Sequence, residues 1–240
     1  MKSLTNIKLL SFLLFCLPLQ LFSFPAPEFS SVEYAAENVK SITFEKEGWK
    51  LAYPFMQQGS GDQLLLSFDI IGGDGSSLWY SIIHCDRDWN RSDLFTSDYL
   101  GGYEENQVND YAPSFNTRIN YTHYRLSLPN SDVRFLVSGN YIITVWAADN
   151  PEKALLVRRF FITEGSTSAT VVFRRPMKPG TTETHQQAEI SVLTGRLPVT
   201  DPYRQVTITV MQNGRPDRMH AGLTPDFVGS GRLEFNTLSD

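Results

Sequence analysis

The sequence predicts an all-β protein, an immunoglobulin-like β-sandwich followed by a second β-domain that reads as incomplete. Three observations carry this. Short runs rich in β-branched and aromatic residues recur between Gly, Pro and Asn turn signals. Several of these runs alternate apolar and polar residues at period two. No long apolar stripe at helical spacing, capped at both ends, occurs anywhere in the chain.

The first segment is an address, not a fold element. Lys2 and Lys8 precede an uncharged run from Leu9 to Phe24, which together make a secretory signal peptide over residues 1–24. The run is short for a membrane helix, which needs about 20 apolar residues, and Pro18 and Gln20 interrupt it. Ser23 and Ala26 are candidate cleavage positions, and Cys16 lies within the apolar run behind bulky Phe15, as part of the discarded signal. Residues 25–38, with Pro25 and Pro27, read as an exposed leader.

The first β-domain is expected over residues 39–164. Its strands are Ser41–Phe44, Gln63–Ile71, Leu78–Cys85, Tyr121–Leu128, Tyr141–Ala148 and Ala154–Thr163. In the third, Trp79, Ser81, Ile83 and Cys85 share one face, with Tyr80, Ile82 and His84 on the other. Asp149-Asn150-Pro151-Glu152 is a turn, because Pro fixes φ and pushes the preceding residue out of the helical region, so the last two strands form a hairpin. Such a series fits a sandwich, although the Cys…Trp…Cys pattern of antibody domains is absent. Residues 86–120 carry few strand signals, and a span this long is either functional or carries short structure of its own.

Gly165-Ser166-Thr167-Ser168 reads as a linker. The second β-domain, 169–240, has expected strands at Thr170–Arg174, Gln187–Leu193, Gln205–Gln212 and Arg232–Phe235, with Asn213-Gly214 as a turn. The chain stops soon after the last of these, which reads as a truncation.

Charge and cysteine usage narrow the function. Removing Lys2 and Lys8 takes the net charge from −5 to −7, which argues against nucleic acid and anionic membrane surfaces as partners. Only Cys85 remains after the signal, so no internal disulfide is expected and the core must hold the fold. No later segment is long and apolar enough to span a bilayer.

The densest polar cluster is His84-Cys85-Asp86-Arg87-Asp88-Trp89-Asn90. Zinc is disfavoured, because His84 and Cys85 are adjacent on a strand and point to opposite faces. The same geometry argues against a Cys–His nucleophile pair. Asp86, Asp88 and Asn90 have the alternate spacing of a calcium loop, but Arg91 stands where Gly is needed and Ser97 where a bidentate Glu is needed. The plainer reading is a strand end and a polar turn, with Cys85 as a small core residue and Asp side chains capping backbone N–H groups. Gly59-Ser60-Gly61 and Gly229-Ser230-Gly231 lack the spacing of a nucleophile elbow. Gly72-Gly73-Asp74-Gly75 precedes no helix, so a turn is expected there before an anion cradle. No cofactor and no catalytic residue are expected.

The run Glu47-Gly48-Trp49, Leu51-Ala52-Tyr53-Pro54 and Ile82-Ile83-His84-Cys85-Asp86-x-Asp88-Trp89 resembles the type IX secretion system plug family. The resemblance continues through Asp98-Tyr99-Leu100-x-Gly102-Tyr103-x-Glu105-Asn106, Ser114-Phe115-Asn116-Thr117, Tyr121-Thr122-His123-Tyr124-Arg125-Leu126, Ser138-Gly139-Asn140-Tyr141 and Arg158-Arg159-Phe160. It is tight over about residues 40–165. It implies a periplasmic, β-rich protein of Gram-negative bacteria that docks on the outer-membrane β-barrel translocon and closes its periplasmic mouth when idle. On that reading Tyr99, Tyr103, Glu105, Tyr111 and Phe115 of the long span form a contact loop for the partner, since aromatics dominate interface energetics. The alternative is that this span folds back over its own sandwich. Two other function classes stay open: a carbohydrate-binding module using Trp49 and Trp89, and a hydrolase whose catalytic residues lie beyond residue 240.

Overall fold

A computed structural model describes residues 26–236, except 51, 73, 74, 76, 177–179, 181, 182, 196, 197 and 215–217. The expected signal peptide with Cys16, and two residues of the expected Gly72–Gly75 turn, lie outside the described residues.

Alternation at period two sets the faces of the strands. The chain runs through β1 (Tyr34–Ala35), β2 (Val39–Lys46), β3 (Phe55–Gln57), β4 (Leu64–Ile71) and β5 (Leu78–Cys85). A single helical turn, α1 (Thr96–Tyr99), is followed by β6 (Leu100–Gly102), β7 (Glu105–Val108) and β8 (Asp110–Pro113). Then come β9 (Tyr121–Leu128), β10 (Val133–Phe135), β11 (Gly139–Ala147) and β12 (Asn150–Thr163). One sheet has the order β1-β12-β11-β5-β7, with β3 also on β12, and a second has β2-β4-β9-β8. Leu64, Leu66 and Phe68 of β4, Tyr124, Leu126 and Leu128 of β9, Tyr80 and Ile82 of β5, Tyr141 of β11 and Phe160 of β12 share one hydrophobic core. The two sheets therefore form a sandwich closed over that core.

Aromatic rings fill one end of this core. Tyr141 and Phe160 stack at 5.4 Å, and Phe135 packs edge-on at 5.1 Å from Tyr141 and 5.5 Å from Phe160. Phe44 reaches Phe160 from the second sheet at 5.5 Å. Rings offset or edge-on at such distances add to their area burial.

One expectation is corrected here and two are refined. The leader is tied down although Val32 and Tyr34 stay exposed: β1 pairs with β12, Ala36 is buried, and Phe29 packs on the outer face of the first sheet against Cys85, Ile142 and Val157. Arg159 holds the leader by donating from Nε and Nη2 to the Ser31 carbonyl, and Arg158 by donating to the Tyr34 carbonyl at 2.9 Å. The hairpin between β11 and β12 turns at Ala148 and Asp149, so Asn150 already pairs with Ala147. Pro151 is accommodated because the register slips there and β11 leaves residues 151–153 unmatched. Residues 86–120 carry short structure of their own, one of the two readings open for them, and β7 and β8 extend one edge of each sheet.

Residues after Gly165 build β13 (Ser168–Arg174), β14 (Gln187–Leu193), α2 (Pro202–Gln205), β15 (Ile208–Met211), β16 (Met219–Leu223), β17 (Phe227–Gly229) and β18 (Arg232–Phe235). A four-stranded sheet, β13-β14-β18-β17, and the β15-β16 ribbon share a core of Ala188, Ile190, Val192, Leu233 and Phe235. The strand expected at Gln205–Gln212 starts later, because Pro202, set for a first helical turn, opens α2. Asn213 takes the left-handed conformation at φ 55 that its turn signal implied.

Candidate interaction surface

The long span becomes a side wall of the sandwich. β7 pairs with β5 of the first sheet, β8 pairs with β9 of the second, and only Asn109 separates them. The chain crosses between sheets at that residue. The outer edges of β7 and β8 have no strand partner among the described residues.

The wall divides the predicted contact residues. Tyr99 is 2% exposed, and its hydroxyl donates to the Ile82 carbonyl at 3.4 Å. It is a core residue and leaves the contact set, because its ring packs against His84 and Tyr141. Tyr103 is 79% exposed, Phe115 93% and Tyr111 45%, the last leaning on Tyr124. Glu105 is exposed overall, yet partial desolvation of its carboxyl, followed by the negative charge of Glu104, raises it above the ordinary range.

These residues do not form one patch. Glu105 sits opposite Ser81 and Val108 opposite Leu78, so Tyr103 lies toward the Cys85 end of β5. Pro113 sits opposite Thr122, so Phe115 lies toward the start of β9, at the other end of the sandwich. Sequence reasoning missed Phe95, 78% exposed, and Ile119, also exposed. Phe95 belongs with Tyr103: Thr96 donates to Glu104 at 2.6 Å, and Arg91 lies 3.4 Å from the same carboxylate. Residues 95 and 103 thus flank a hydrogen-bonded pair and are held in place.

The polar cluster after β5 is a capped turn. Asp86 Oδ1 accepts from the N–H groups of Asp88 at 2.8 Å and Asn90 at 2.9 Å, and Oδ2 accepts from the Asn90 amide at 3.2 Å. These bonds hold the Asp86 carboxyl below its usual range, the Asn90 amide first. With Asp86 engaged by its own turn and Asn90 donating to it, the calcium reading of Asp86, Asp88 and Asn90 loses its ligand set. Among the described residues no group of three His, Cys, Asp or Glu side chains is placed to hold a metal.

His84 and Cys85 point apart, as the strand dictates. His84 Nδ1 lies 2.8 Å from Ser92 Oγ, and the ring packs edge-on against Tyr141. Gly139, at φ +144, leaves room for it, since a Cβ there would collide with His84 Nε2. Cys85 is buried on the opposite face, where burial first and then the charge of Asp86 push the thiol up to about 12.

Two outcomes follow. Iodoacetamide at pH 8 is expected to label Cys85 only after unfolding, read by mass spectrometry; rapid native labelling would contradict the burial. The unfolded thiol ionises near roughly 8.5, whereas the folded one keeps its proton up to about 12. Tyr53, raised from 10.0 to about 12 by burial, acts in the same direction. The native state therefore binds more protons in this window, and stability is expected to fall as pH rises through it. Urea midpoints measured at rising alkaline pH check this.

The tryptophans separate in the same way. Trp89 is half-buried: the Arg159 guanidinium lies 4.3 Å over its ring and Phe161 packs edge-on at 5.2 Å. A sugar stacking on that platform would compete with Arg159. Trp49 is exposed, with Lys46 5.4 Å from its ring.

Comparison with known proteins agrees with this architecture. The chain is similar to a hypothetical protein from Parabacteroides merdae ATCC 43184 with a crystal structure at 2.30 Å, at 27% identity and a TM-score of 0.77. The match covers 84% of this chain and 51% of that one, so the chain spans about half the length of that protein. No curated protein matches it. A family model for the type 9 secretion system plug protein 1st domain matches residues 39–164, the stretch that holds the sandwich and its side wall. The chain therefore belongs to the type 9 secretion system plug family, with the first domain of that family over residues 39–164.

Proposed function

We propose that the chain binds the periplasmic mouth of the outer-membrane β-barrel translocon of the type IX system and closes it when no cargo passes, performing no bond chemistry. The signal-peptide pattern supports a periplasmic site of action. Among the described residues no helix is long and apolar enough to cross a membrane. The observation that carries the reading is the side wall: large aromatics, exposed at Phe95, Tyr103 and Phe115, stand on a segment pinned to both sheets. A plug needs a stiff body and a rim that binds without reacting, and preorganised aromatics suit the rim.

The test is co-purification. The tagged protein is expressed in a bacterium that carries the system, and detergent-solubilised outer membranes are passed over the tag. The barrel is expected in the eluate, and its absence under conditions that preserve the barrel overturns the proposal.

A further inference from the structure

The edge of β12 carries a notch. Its residues Leu156 and Val157 pair with β1, and Phe161 to Thr163 pair in parallel with β3. Between these two partners, Arg158 to Phe160 have no strand beside them on that edge. Glu33 partly replaces the missing strand, accepting from the Arg159 N–H at 3.2 Å. The gap is a cleft of about 240 Å³ whose walls include Ile42, Phe44, Ala52 and Pro54.

The polar groups facing this cleft differ in what they have left to offer. Arg159 is engaged with Ser31 and stacked on Trp89. Arg158 donates from Nη1 alone, to the carbonyls of Tyr34 and Val157, which leaves Nε and Nη2 without a partner among the described residues. Burial lowers the pKa of Arg158, with Glu33 opposing, yet an arginine stays charged in any protein. The Tyr53 hydroxyl likewise has no partner among the described residues, and at a pKa of about 12 it remains a neutral donor.

We propose that this notch is a binding site for a single carboxylate carried on an apolar body. An Nε–Nη2 edge of a guanidinium matches two carboxylate oxygens in one plane. The neighbouring Glu33 carboxylate disfavours a doubly charged phosphate, whereas a monoanion meets one cation and one hydroxyl. The apolar walls take the body of the ligand, and the volume suits one ring or branched chain. The same chemistry occurs in a free acid and at the end of a peptide.

Titration of the whole chain with 3-phenylpropionate, its amide and the tripeptide Gly-Gly-Phe, followed by nitrogen-15 NMR, tests the proposal. The acid is expected to bind about tenfold more tightly than the amide, because the amide loses the charge-assisted pair. The Arg158 Nε–H resonance is expected to move. Tighter binding of the tripeptide than of the free acid assigns the notch to a chain end, and the reverse assigns it to a small molecule. Tyr53→Phe keeps the ring and is expected to weaken the acid severalfold, and Arg158→Lys more. Equal binding of acid and amide, or shifts confined to residues outside the notch, overturns the proposal.

Discussion

Replacing Phe160 with alanine is expected to destabilise the fold by about 3–5 kcal/mol, read from urea unfolding by tryptophan fluorescence. The ring has no solvent exposure and packs against Phe44, Phe135 and Tyr141, so its removal opens a cavity where both sheets meet. Phe160 pairs with Tyr141 of β11, and the rings around it are themselves packed, so the surroundings have little freedom to collapse into the space. A domain holds only about 5–15 kcal/mol in total, so this variant sits near the edge of folding. Phe161→Ala is the control. That ring points the other way, is half-buried and touches Tyr53 and Trp89 under the leader, so a smaller loss is expected. Equal losses at the two positions would mean that the shared core does not dominate stability.

How far such features can be read from sequence depends on whether their partners are local. β5, β9, β14 and β18 fall on the expected residues, because alternation and turn residues bound them on both sides. β6 to β8 were illegible for the opposite reason. They are three or four residues long, and all of β8 is exposed, so no apolar face marks it. The anchoring of the leader is not legible because what orders it is distant. Arg158 and Arg159 bind the carbonyls of Tyr34 and Ser31, 124 and 128 residues earlier. No local pattern announces that Phe29 finds Cys85, Ile142 and Val157 on an outer sheet face. Tyr99 reads as a contact residue because it is an aromatic in a long span with few strand signals; the turn of α1 instead aims it inward beside buried Leu100.

The same division of the wall sharpens the test of function. Deleting the span would remove buried Tyr99, Leu100 and Val108 along with two edge strands, and would unfold the protein before it informed on binding. Point changes at the surface avoid this. Phe95→Ala with Tyr103→Ala is expected to leave stability within about 0.5 kcal/mol and to weaken binding to the purified barrel at least about 30-fold, the size of a hot-spot loss near 2 kcal/mol. Phe115→Ala with Ile119→Ala is expected to cost only a fewfold. The difference rests on preorganisation. The first pair flanks the Thr96–Glu104 hydrogen bond and the Arg91–Glu104 contact, so little freedom is lost on docking. The second pair stands on the connection between β8 and β9, whose Ser114 and Thr117 hydroxyl bonds reach no farther than Tyr121, and Phe115 is almost fully exposed, so more freedom is lost there on docking. β5 is eight residues long, and at about 3.3 Å per residue the two ends of the wall stand far enough apart for one to bind while the other is free. The pair whose loss weakens binding therefore reports which end of the sandwich faces the pore. Tight binding after both double substitutions would take the wall out of the interface altogether.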